Sequence, residues 1–148
     1  MRQWWMHWNQ GRERRKILLA LYREVERNWE AVHVMQQRGV LDKFTLETWS
    51  KVKGCPGLKL EPRVTVYGVP FETYNTAMDD FKRFEQWYAA DLENKTTENA
   101  RILHGKKETA LEKFNGLLDI AAEAKSILER DLLAENILTP RMIISHAE

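Results

Sequence analysis

The sequence predicts an all-α protein: an antiparallel helical bundle of the four-helix type, with three long helices, one short helix and a long irregular loop. Apolar residues recur at spacings of three and four over most of the chain, the rhythm of helices buried on one side. Turn-forming glycines and prolines fall between those stretches. The one alternating run, Arg63-Val64-Thr65-Val66-Tyr67, could be extended, but a strand without a partner is not stable alone. The chain has 148 residues, enough for one domain over 1–148 that buries roughly 70% of its unfolded surface.

The first helix is the surface on which the other segments are expected to pack. Between Ile17 and Met35 the residues Leu18, Leu21, Val25, Trp29, Val32 and Met35 form one stripe, and Gly39 closes it. Arg23, Glu26 and Glu30 fall off the stripe and are expected to face water. Asn28 sits at its edge, where an amide needs a partner and can set how neighbouring helices register. Glu24 lies one turn from Asn28 and can bond to it along the helix.

Phe44-Thr45-Leu46-Glu47-Thr48-Trp49 has the layout of a second start. Thr45 is the candidate cap, with Phe44 and Trp49 as a hydrophobic staple and Gly54 as the stop, giving a short helix over 45–53. Residues 54–70 hold three of the four prolines and read as the long loop. From Pro70 the residues Phe71, Tyr74, Met78, Phe81, Phe84, Tyr88 and Leu92 mark a thick-cored third helix, ending near 93 or continuing toward Leu103. His104-Gly105-Lys106-Lys107 looks like a turn. Leu111, Phe114, Leu118, Ala121, Leu128 and Leu132 then stripe a fourth helix, with Ala122 and Ala124 permitting close approach, and Pro140 stops it. A tail, 139–148, carries Met142, Ile143 and Ile144.

Composition narrows the function. A net charge of +1 predicts no global attraction to nucleic acid or acidic lipid, so such binding would need a local patch. Cys55 is the only cysteine, which excludes an intrachain disulfide and favours a reducing compartment. No apolar run approaches the ~20 residues of a spanning helix, and the expectation is a soluble, cytoplasmic protein. The histidines His7, His33, His104 and His146 show no metal-ligand spacing, and the seven glycines form no phosphate-binding loop. No metal and no cofactor are expected. Asp79-Asp80 reads as surface charge.

The leader, residues 1–11, is the most unusual stretch. Trp4, Trp5 and Trp8 precede Arg12, Arg14, Arg15 and Lys16, and basic side chains in a first helical turn oppose the macrodipole by roughly 0.3–1 kcal/mol. Tryptophan and arginine are common interface anchors. The leading expectation is a non-enzymatic protein–protein interaction module that binds another protein, or a second copy as a homodimer, through these seven residues. The tryptophans could instead cap the bundle or rest on a membrane surface, and the basic run could hold nucleic acid, which salt would release. That outline, continued by Leu21, Glu24 and Asn28, is also similar to bacterial proteins in which a membrane segment ending in tryptophans and arginines runs into such a helix.

Arg27-Asn28-Trp29-Glu30-Ala31-Val32-His33 resembles the motif of the HEPN-domain ribonucleases, small helical bundles in which an arginine precedes a histidine by a few positions. The resemblance implies metal-independent RNA cleavage across a dimer interface. Arg27 would stabilise phosphate charge, His33 would handle the proton, and Asn28 would be the supporting polar residue.

Overall fold

The structure, a computed structural model, describes residues 11–147, the side chains of Pro56 and of 144–147 excepted. Trp4, Trp5 and Trp8 lie outside the described residues. Among the described residues seven α-helices follow in order: α1 (Arg12–Arg38), α2 (Glu47–Val52), α3 (Pro62–Thr65), α4 (Gly68–Ala90), α5 (Thr97–Phe114), α6 (Leu117–Ala134) and α7 (Pro140–Ala147). Single 3₁₀ turns occupy Pro56–Leu58 and Leu92–Asn94, and the described residues contain no strand. The all-α bundle is therefore what the periodicity implied.

Two antiparallel pairs make up the frame. Helix α1 runs against α6, since Arg14 meets Glu135, Tyr22 meets Glu129 and Lys125 lies over Trp29. Helix α4 runs against α5, with Tyr74 beside Phe114 and Asp80 paired to Lys106. The core lies where the first half of α4 meets the first pair: Leu18, Leu21, Val25 and Val32 face Leu117, Ala121, Ala124, Leu128 and Leu132, with Phe71, Tyr74 and Met78 alongside. The small Ala121 and Ala124 are buried here, whereas Ala122 points outward. Gly39 closes α1 in the left-handed region (φ 69°), its N–H bonding to the Met35 carbonyl.

Helix α2 starts differently from expectation. Thr45 is exposed and does not cap it; the Glu24 carboxylate of α1 does, accepting from Thr48 N and Trp49 N at 2.9 Å each. A buried anion on orphan amides at a helix start satisfies both partners, so α2 has no need of its own cap. Asn28, 2% exposed, donates to the Thr45 carbonyl at 2.9 Å and to the Tyr67 hydroxyl at 3.4 Å. Glu24 and Asn28 thus bond to the 45–49 segment instead of along their own helix, and the Asn28 amide has the partner its burial requires. Phe44 does not staple to Trp49: its ring packs edge-on to Phe71, and Asn75 clamps its backbone N–H and carbonyl.

The segment 54–70 is more ordered than a loop. Val64 and Tyr67 are buried, and the series Val64, Tyr67, Phe71, Tyr74 and Met78 continues the α4 stripe backwards at spacings of three and four. Pro62 opens α3, and α4 begins at Gly68, two residues before Pro70. A Cβ on Gly68 would overlap the Trp49 ring, which lies flat on the helix start and donates Nε1–H to the Thr65 carbonyl at 2.8 Å.

Residues 104–107 are helical, correcting the expected turn. One interior glycine weakens a helix by about 1 kcal/mol without ending it, and Lys106 is held by Asp80 at 2.7 Å. The break falls at Asn115-Gly116, where Gly116 adopts φ 85°. One long fourth helix becomes two, α5 and α6. Thr96 caps α5 through Asn99 N. The tail forms α7, with Met142 packed against the core.

Candidate functional site

The basic residues of the first turn of α1 have a local explanation that lies in α6. Antiparallel pairing sets the start of α1 beside the end of α6, where unpaired carbonyls and the negative end of the dipole attract cations. Arg14 donates to both oxygens of Glu135, at 2.8 and 3.3 Å, and to the Leu58 carbonyl at 3.4 Å. Arg15 donates to the carbonyl of Asn136, a residue in the left-handed region (φ 59°). Two of the four cations therefore latch the helix pair.

The others face outward. Arg12 is exposed, and Lys16 reaches Glu13 at 3.7 Å. Together with Arg15 they rim a shallow open groove of about 670 Å³, floored by Leu19 and Ile137 and bounded by Gly11 and Asn136. A second cleft of about 340 Å³ lies beyond Arg14, over Leu18, Leu58, Val64 and Leu132, with Lys59, Glu61 and Asp131 on its edge. In that cleft both charge signs occur, and Glu61 is drawn toward Arg63 and Arg130.

Arg27, Asn28 and His33 are not brought together. Helix α1 is continuous through them, and six positions turn it by about 240°. Arg27 is exposed, His33 packs edge-on to Trp29 at 4.6 Å, and the Asn28 amide is committed to Thr45 and Tyr67.

A buried polar cluster between α1 and α6 escaped the sequence. Glu26 is buried, against the expectation that it faces water, because the Tyr22 hydroxyl lies 3.2 Å from it and 2.7 Å from Glu129. Lys125 neutralises Glu129 at 2.6 Å and covers the Trp29 ring. Burial above all, then the Glu129 hydrogen bond and the charges of both glutamates, push the Tyr22 phenol far above its ordinary value. A phenol so held stays neutral and ties the two helices. Among the described residues no group of three or more His, Cys, Asp or Glu could hold a metal ion.

Exposed apolar side chains occur at the end of α1, around the start of α4, and on the distal parts of α4 and α5 with the turn between them. Trp87 is 46% exposed, Ile102 41% and Leu92 81%. Periodicity assigned the α4 side of this region to the core, and it identifies which residues share a face without saying what covers them. No helix among the described residues is long and apolar enough to cross a membrane. The chain matches no protein-family model, no curated protein and no solved structure.

Proposed function

We propose that the protein is a non-enzymatic interaction module that binds an acidic, apolar-bearing segment of another protein at the start of α1. The observation that carries this reading is the groove in which Arg12, Arg15 and Lys16 surround Leu19 and Ile137. A cationic rim selects carboxylates and steers their approach, while an apolar floor rewards a buried side chain. In sequence, Trp4, Trp5 and Trp8 precede Gly11 and are of the residue type most often found as an anchor. Arg14 acts from behind by holding α6 in place.

Nucleic acid fits this groove less well. Binding dominated by phosphate needs many cations, and this groove presents three, Arg12, Arg15 and Lys16, beside an apolar floor.

A fluorescent peptide alternating glutamate and leucine, titrated with the full chain, tests the proposal. Saturable binding that Arg12→Glu with Lys16→Glu abolishes, at unchanged helical content, is the expected result. Absence of binding, or binding the double variant leaves intact, overturns it. Stronger retention of single-stranded RNA, weakening with salt, transfers the groove to nucleic acid.

A further inference from the structure

Between Met78 and Ala110 no residue of the chain is buried; Phe81 still touches the core and Asp79 and Lys82 pair with Lys43 and Asp42, and beyond them the outer parts of α4 and α5 form an arm whose helices pack on each other. One face of this arm is apolar. Phe84 and Trp87 are one turn apart with ring centroids at 5.3 Å, and Lys106 lies over Phe84. Ile102, one turn before Lys106, shares that face, as does Gly105, three residues after Ile102.

Gly105 gives this face a second, independent mark. Glycine is the worst helix former after proline, and here it sits inside an 18-residue helix. A Cβ at this position would meet nothing within 4 Å, so the fold of one chain does not require it. A bare backbone beside an exposed isoleucine suits the close approach of another helix.

Charge along the arm selects the occupant. The turn, 91–98, carries Asp91, Glu93 and Glu98 against Lys95. The shaft behind it, 79–90 with 99–109, carries Lys82, Arg83, Arg101, Lys106 and Lys107 against Asp79, Asp80, Glu85 and Glu108, a small positive excess. The negative tip and the positive shaft complement each other when two arms lie antiparallel about a two-fold axis. A parallel alignment would stack like charges.

We infer that the arm is a self-association surface on which a second copy of this chain docks antiparallel, closing two hairpins into a four-helix layer. Phe84, Trp87 and Ile102 meet their symmetry mates across the axis, and Gly105 sets the helix spacing. Two helices about 20 Å across and some 16 Å of shaft give roughly 320 Å² per partner, about 40% of a standard interface. The dimer therefore exchanges reversibly with the monomer. This surface is distinct from the groove at the start of α1, and either can fail without the other.

Sedimentation equilibrium of the full chain from about 1 to about 500 µM, the span of weak complexes, reads the association. Trp87→Glu is expected to weaken it at least roughly tenfold. Gly105→Leu is expected to weaken it similarly while raising the Tm of the monomer, because leucine favours the helix and blocks the approach. A monomer over the whole range overturns the inference. So does a dimer that survives both variants, or one that Arg12→Glu with Lys16→Glu dissolves in their place. Retention of the monomer on anionic vesicles through Trp87 assigns the face to lipid and overturns it as well.

Discussion

The α1–α6 pair and the α4–α5 arm are built from the same device, two antiparallel helices with apolar residues at helical spacing, yet only one of them is buried. Leu21, Val25 and Leu128 are almost wholly inaccessible because α2, α3 and the first half of α4 close over them. Trp87 and Ile102 remain open because, among the described residues, no further element covers them. A helix pair alone hides one seam, and a third layer decides whether the second face becomes core or contact surface.

Truncation should separate the two regions most strongly. Leu21→Ala removes a buried side chain and leaves a cavity, an expected loss of about 3 kcal/mol in urea unfolding. Ile102→Ala, measured at low protein concentration where the arm is unpaired, should change stability by less than about 0.5 kcal/mol. Equal losses would mean that the arm is part of the cooperative core and would erase the contrast.

Polar groups should divide the same way. Glu24, 4% exposed, is the carboxylate on which two α2 amides depend. Its replacement in Glu24→Ala orphans both, for an expected loss of about 3 kcal/mol with fraying of α2. Asp80→Ala breaks the exposed Lys106 pair of the arm and should cost less than about 0.5 kcal/mol. Thr45→Ala should be nearly silent, since the residue that looks like the cap in the sequence is exposed.

That last contrast shows where sequence reasoning stops. The α1 stripe and its Gly39 stop follow from local spacing, and both were legible. Glu24 could not be read as a cap, because its amides lie more than twenty residues away and meet it only after α1 and α2 pack. The Val64-Tyr67-Phe71 stripe was present in the letters, but Gly68, Pro70 and the β-branched Val64-Thr65-Val66 concealed it under turn and strand signals. Gly105 was mistaken for a break because local propensity ignores the Lys106–Asp80 support from a neighbouring helix. At the candidate site the cationic run was visible, whereas the division of labour between Arg14–Arg15 and Arg12–Lys16 depends on which helix end lies beside them.

Alkaline pH offers the gentlest probe, and it acts on the bundle through three phenols there. Burial first raises all three, followed by the Glu129 hydrogen bond and glutamate charge at Tyr22 and by the Glu24 charge at Tyr67, while burial and the Asp42 charge push Tyr74 up to about 12. Below the unfolded value of 10.0 all three are neutral in both states, so their contribution is fully present at neutral pH. Above it the unfolded chain releases protons that the folded chain retains, and stability falls with rising pH until the folded phenols also ionise. At pH 10 each phenol should withdraw about 0.4 kcal/mol, roughly 1.2 kcal/mol together. Urea midpoints at successive pH values should drop only as this range is entered, with tyrosinate absorbance rising together with unfolding. Tyr74→Phe should shallow that slope by about a third, and a slope indifferent to this substitution would place the alkaline sensitivity outside the bundle core.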